Sequence, residues 1–204
     1  MSEEKQVPTD VKFDESDVER LSIYPHLADG YYKGVVRSVK NGVSKKGNIM
    51  QVLEVAPLDD ADVPRRPTIS LYLCPPINNP NLAGHVAPDW TVSKSQQYLR
   101  AVDAKNFPHF PKREGAVFTN EFGNTMSVEE ASITKKKLIL KIGQEMQRRW
   151  KDPNIYEGET FFFKVTTNVD DTGAERTNID GVWSTLQKGE TRITSNFGSK
   201  AKVG

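Results

Sequence analysis

The run from Gly30 to Val55 constrains this chain more than any other stretch. It reads Gly-Tyr-Tyr-Lys-Gly-Val-Val-Arg-Ser-Val-Lys, then Asn-Gly-Val-Ser-Lys-Lys-Gly, then Asn-Ile-Met-Gln-Val-Leu-Glu-Val. Val and Tyr suit a pleated, half-buried surface, so the two flanking runs read as strands. In the first of them Lys33, Arg37 and Lys40 interrupt the apolar set Val35, Val36 and Val39. Asn41-Gly42 and Lys46-Gly47 supply turn chemistry between the runs. The product is a long hairpin with a basic tip, of the kind that opens a small barrel and binds something negative.

The rest of the chain adds three strands and two helices. Thr68 to Leu73 alternates, with Ile69, Leu71 and Leu73 expected in the core and Ser70 and Tyr72 outside. Cys74-Pro75-Pro76 ends this strand, because proline cannot donate to a ladder. Residues 77–92 form a long loop, and loops of that length are functional or disordered. Ser93 is placed to cap a short helix running to about Ala104 that buries Tyr98, Leu99 and Val102. Ser127-Val-Glu-Glu130 has the form of a capping box. The helix after it carries Leu138, Ile142, Met146 and Trp150 as its buried stripe, with a break conceivable at β-branched Ile133-Thr134. Glu159–Thr167 and Ala174–Trp183 read as the last two strands, with Thr177, Ile179, Gly181 and Trp183 on one face of the second.

Composition bounds the remainder. The chain has 204 residues, 36% of them apolar, which suits one domain with disordered ends. The expected boundaries are an acidic, solvated arm over 1–25, a folded domain over 26–187, and a flexible basic tail over 188–204. A net charge of +1 excludes a polycation, so any contact with nucleic acid must use a local basic patch. Cys74 is the single cysteine, which excludes an intrachain disulfide and a cysteine-rich zinc site. No apolar run approaches the roughly 20 residues that span a bilayer, and the acidic start is unlike a signal peptide. A reducing cytosol fits these features.

Strand-strand-strand, helices, strand-strand is the order of an OB-fold, a five-stranded Greek-key barrel that binds oligonucleotides through strands 2 and 3. The expected fold class is therefore mainly β, a five-stranded OB-fold barrel with a helical insert between strands 3 and 4. An unrelated α+β domain is the competing architecture.

Gly30-Tyr31-Tyr32-Lys33-Gly34-Val35-Val36, followed by Ser44-Lys45-Lys46-Gly47-Asn48-Ile49-Met50, resembles the opening of bacteriophage OB-fold single-stranded-DNA-binding proteins. Gly158-Glu159-Thr160-Phe161 through Arg176-Thr177-Asn178-Ile179 is similar to their closing hairpin. The resemblance spans about Tyr24 to Leu186 at the level of pattern. It implies a protein that coats and protects single strands in DNA replication or recombination, with little sequence preference. Many such proteins end in an acidic tip that recruits replication partners. This chain ends Ser199-Lys200-Ala201-Lys202-Val203-Gly204, so the acidic N-terminal arm is the candidate for contacts with replication or recombination proteins.

Single-strand binders join a positive groove to aromatic rings on which bases stack. The groove candidates are Lys33, Arg37, Lys45, Lys46, Arg65, Arg66, Lys164 and Arg176, with Lys45 and Lys46 at a mobile hairpin tip. Tyr72 is the first stacking candidate by strand parity, and Phe162, which shares parity with Lys164, is the next. Phe161, Phe163, Trp150 and Trp183 read as core, and Trp90, Phe107 and Phe110 fall in loops. Enzyme signatures are missing: there is no phosphate-binding loop, no Gly-x-Ser-x-Gly and no His-Glu-x-x-His. His26, His85 and His109 are scattered, and Asp59, Asp60 and Asp62 read as a solvated acidic loop, so neither a metal nor a cofactor is expected. A structural or assembly protein with the same barrel, and an RNA-binding OB module, are the rival functions.

Overall fold

The computed structural model describes residues 26–169, 173, 175–195 and 197–199. The acidic arm over 1–25 and the last residues of the tail lie outside the described residues. The strands are β1 (His26–Leu27), β2 (Gly30–Val43), β3 (Ile49–Pro57) and β4 (Ile69–Leu73), then β5 (Lys112–Glu114), β6 (Val117–Thr119) and β7 (Thr125–Met126), then β8 (Thr160–Val169), β9 (Glu175–Trp183) and β10 (Gly198–Ser199). The helices are α1 (Trp90–Val102) and α2 (Val128–Lys151), followed by a 3-10 turn at Pro153–Tyr156.

Five strands form the central sheet in the order β4-β3-β2-β8-β9, each pair antiparallel. Four reversals leave the edge strands β4 and β9 running in the same direction. They approach each other without pairing, so the sheet curls into a nearly closed barrel. This is an OB-like barrel, with both helices inserted between its third and fourth strands.

The 14-residue β2 makes the curl possible. Its first half pairs with β8 (Gly30↔Val165 to Val35↔Thr160) and its second half with β3 (Gly34↔Pro57 to Val43↔Ile49). A bulge between Val36 and Ser38 bends the strand from one partner to the other. Gly34 sits where the two ladders overlap. A Cβ there would lie 2.5 Å from the Phe163 ring and 2.7 Å from Val55.

The hairpin turn lies later than the sequence suggests. β2 continues through Asn41-Gly42, and the reversal occurs over Ser44–Asn48, closed by Ser44 N–H to Asn48 O (2.8 Å) and Gly47 N–H to Ser44 O (2.9 Å). Asn41 is held in the ladder by its side chain, which accepts from Gln51 Nε2 (2.9 Å) and donates to Trp150 O (3.0 Å). The tip is also fastened: Asn79 Nδ2 donates to Gly47 O (2.8 Å), and His85 Nε2 lies 3.0 Å from Asn48 Oδ1. These bonds anchor the 77–89 loop as well.

The inward face of the barrel holds Tyr32, Val36, Leu53, Val55, Leu71, Leu73, Phe161, Phe163, Val165 and Val182, all buried. α1 packs on β9, β8 and β4, across the seam where the barrel edges meet, and α2 packs on α1. α1 starts at Trp90, with its first turn closed by Thr91 and Val92 N–H bonds to Pro88 and Asp89, rather than at a Ser93 cap. The capping box at α2 is formed: Glu130 N–H reaches Ser127 Oγ (3.1 Å), and Ser127 N–H reaches Glu130 Oε2 (2.8 Å). α2 is continuous through Ile133-Thr134.

Leu138, Ile142 and Met146 are buried as the stripe predicts, but the next buried residue is Arg149, and Trp150 is half-buried. Arg149 Nη1 and Nη2 each donate to Glu159 at 2.8 Å, and its Nε donates to Glu145 Oε1 at 2.8 Å. Tyr98 OH donates to Glu159 Oε2 (2.6 Å), and Tyr156 OH to Gln51 Oε1 (2.6 Å). The guanidinium lies 4.8 Å from the Tyr156 ring centroid. One ionic cluster thus ties α1, α2, the 3-10 turn and the barrel together. Burial by itself would lower the Arg149 pKa, but the hydrogen bonds and charge of Glu159 outweigh it and hold the pKa above the ordinary arginine value.

The described part of 188–199 is docked on the barrel, which corrects the expectation of a flexible tail from residue 188. Phe197 is buried, with its ring 6.1 Å from Tyr32. Ile193 N–H donates to Tyr31 O (2.7 Å), Arg192 donates to Leu58 O (2.7 Å), and β10 pairs with β1. Phe197 is a lone aromatic in a Gly/Ser-rich run, so it has no periodicity to announce it. The small β5-β6-β7 sheet was likewise unmarked by any alternation.

Candidate nucleic-acid interface

Tyr72 takes the orientation that parity requires. β4 alternates buried and exposed residues, and Tyr72 is 60% exposed. Register aligns Tyr72 with Val52 and Val52 with Lys40 in one outward row across three strands. At the usual strand spacing, Lys40 stands roughly 10 Å from Tyr72 along that row. Lys40 belongs to this face only because of the β2 bulge. Before it the even-numbered Tyr32, Gly34 and Val36 point inward, and after it Val39 does. Sequence parity alone therefore missed Lys40. Arg37 is exposed at the bulge itself, and exposed Arg66 borders the same face. Glu54 lies among them. Hydrogen bonds from Ser38 (2.9 Å) and then Thr68 (3.0 Å) hold its carboxyl below the usual range, helped by Lys40 and Arg66.

On its other side Tyr72 forms the lip of a cleft between the barrel edges. The cleft, about 490 Å³, is lined by Ser70 and Tyr72 of β4 and by Glu175, Arg176 and Asn178 of β9. Tyr72 and Arg176, chosen separately from the sequence, thus line one cleft from opposite sides of the unpaired seam.

The other candidates are dispersed. Phe162 and Lys164 are on the outer face of β8, with Lys164 Nζ 5.6 Å from the Tyr31 ring centroid. Lys33 shares that face but is ion-paired to Asp62 at 2.6 Å. Arg65 Nε is bonded to Asp59 Oδ2 at 2.7 Å. Lys45 and Lys46 are exposed at the fastened hairpin tip.

The three aspartates are not simply a solvated loop. Asp59 accepts the N–H groups of Ala61 and Val63, Asp62 accepts Lys33 and Arg192, and Asp60 accepts Thr194. The Val63 N–H foremost, with Arg65, holds the Asp59 carboxyl below its ordinary value. Lys33 foremost does so for Asp62.

Trp183 is not core. β9 carries a bulge at Asp180-Gly181, where the ladder steps from Phe163↔Val182 to Val165↔Ile179. Gly181 has φ 105°, a backbone open to glycine but strained for other residues. The bulge turns Val182 inward and puts Trp183 outside beside Phe162, 5.9 Å from the Tyr31 ring. Phe161 and Phe163 are buried as expected.

Among the described residues no group of His, Cys, Asp and Glu is arranged to hold a metal, and no helix is long and apolar enough to cross a membrane. No protein-family model and no curated protein matches the chain.

Proposed function

We propose that this protein binds single-stranded DNA with little regard to sequence and coats strands exposed during replication or recombination. The carrying observation is Tyr72, a tyrosine 60% exposed on the third strand of an OB-like barrel, with Lys40 across the sheet and Arg176 across the seam. A base lying on that ring contributes about 1–3 kcal/mol whatever its identity. The phosphates beside it fall toward Lys40, Arg37 and Arg66, which supply charge without base readout. The resemblance to phage single-strand binders points the same way, and in that role the chain works in the host cytoplasm alongside replication or recombination proteins.

Fluorescence titrations with single-stranded, duplex and RNA oligonucleotides test the reading. Single-stranded DNA should bind tightest. The slope of log K against log salt should be steeper than about −1.4, the value for two phosphates. A flat salt response, or no protection of single strands from nuclease, refutes it. Preferential binding of the RNA probe would move the assignment to an RNA module.

A further inference from the structure

The cleft at Tyr72 does not end at the barrel. It opens into a smaller segment of about 240 Å³, lined by Tyr72 of β4 and Cys74 just after it, by Trp90, Lys94 and Gln97 of α1, and by Asn178, Ile179, Gly181 and Val182 of β9. That segment opens in turn into a groove of about 700 Å³ between α1 and the end of β9. Trp90, Lys94, Gln97 and Val182 line both, so the trough is continuous.

Its chemistry differs from that of the surrounding surface. Among the described residues no Asp or Glu lines either segment, although the chain carries 27 of them. Lys94 is exposed and has no ion-pair partner among the described residues. Arg100, further along the wall, is paired with Glu121 at 2.6 Å. Two large rings face the groove. Trp90, 49% exposed, stands at the start of α1. Trp183 stands at the end of β9 with its six-membered ring against Gly181, where a Cβ would lie 2.8 Å from it. Indole faces beside a lysine that no described carboxylate pairs, in a groove that no described carboxylate lines, suit unstacked bases on a phosphate chain.

We infer that a bound single strand leaves the barrel beside Tyr72 and runs along α1, its bases stacking on Trp90 and Trp183 and a phosphate meeting Lys94. The helical insert is then a wall of the binding site. This inference rests on the single-strand reading above.

The test uses the full chain and two labelled thymidine oligonucleotides, of about four and about sixteen residues, the span of site sizes for one OB barrel. Trp90→Leu should weaken the long oligonucleotide at least about fivefold, the lower end of one lost base stack. It should leave the short one unchanged. Lys94→Glu should do the same and flatten the salt slope by about 0.7 or more. Tyr72→Ala should weaken both. Melting curves confirm folding, and exposed Lys94 decides the matter if Trp90→Leu does not fold. Wild-type length dependence in both groove variants, with Tyr72→Ala impaired, overturns this inference and leaves the single-strand reading standing. Failure of the wild-type chain to bind either oligonucleotide overturns both.

Discussion

Arg149→Met tests whether the ionic cluster holds the helical insert to the barrel. Arg149 is 5% exposed and donates three hydrogen bonds, two to Glu159 and one to Glu145. Methionine keeps much of the apolar stem, so the cavity left is small. The Glu159 side chain, 19% exposed, keeps its negative charge and retains the Tyr98 hydroxyl. Each charge-assisted bond lost removes about 1.5–3 kcal/mol. Relief of the arginine's own desolvation offsets part of that, and breaking one side of a buried pair costs about 3–5 kcal/mol net. In a chain of this size each kcal/mol moves Tm by about 2–4 °C, so Tm should fall by about 6–20 °C. Adding Glu159→Gln removes the stranded charge, and its amide oxygen can still accept from Tyr98. The double variant should therefore recover at least about 0.5 kcal/mol over the additive sum. Circular-dichroism melts and urea titrations at neutral pH measure both. A single variant as stable as the wild type, or a double variant showing full additivity, refutes the reasoning.

Three further outcomes follow. Tyr72→Ala should weaken single-strand binding by about 1–3 kcal/mol and shift stability by no more than about 0.5 kcal/mol, with Tyr72→Phe near wild type; a large fall in Tm with normal binding of the folded fraction would end the stacking role. Truncation after Gln187 removes buried Phe197 and the Arg192 bonds, so it should destabilise by about 3 kcal/mol or more, whereas an unchanged melting curve would show that the docked segment contributes nothing. At high pH, burial pushes Tyr32 up to about 12, with Asp29 adding to it, and holds Tyr98 and Tyr156 above the ordinary tyrosine value of 10.0. The unfolded chain then releases protons that the fold retains, so stability is full below pH 10 and falls above it. Each of the fully buried Tyr98 and Tyr156 contributes about 1.4 kcal/mol per pH unit to that fall. Cooperative loss of circular dichroism should accompany the late phenolate absorbance, and all six tyrosines titrating together in a still-folded chain would contradict it.

Features legible in the sequence are those settled within one element. Ile69, Leu71 and Leu73 alternate with Ser70 and Tyr72, and a one-residue slip would bury a serine and expose three aliphatics, so Tyr72 has one possible side. Ser127 and Glu130 satisfy each other's backbone donors whatever surrounds them. The order of strands and helices follows from such local patterns, and with it the barrel. Tertiary structure decided everything that depends on an atom far along the chain. Two bulges, at Arg37 and at Asp180-Gly181, reverse strand parity and bring Lys40 and Trp183 to the outer surface. Lys33 and Arg65 look the same in sequence as Arg37 and Arg66, yet aspartates of the 59–62 loop engage only the first two. Arg149 replaces Trp150 on the buried stripe because Glu159, ten residues on, returns a carboxylate to it. Phe197 has no neighbouring pattern, and its burial rests on a barrel end that Tyr32 completes. A local pattern sets which way a side chain points within its own element, but only the assembled barrel supplies the partner that makes a charge paired, a ring buried or a groove continuous.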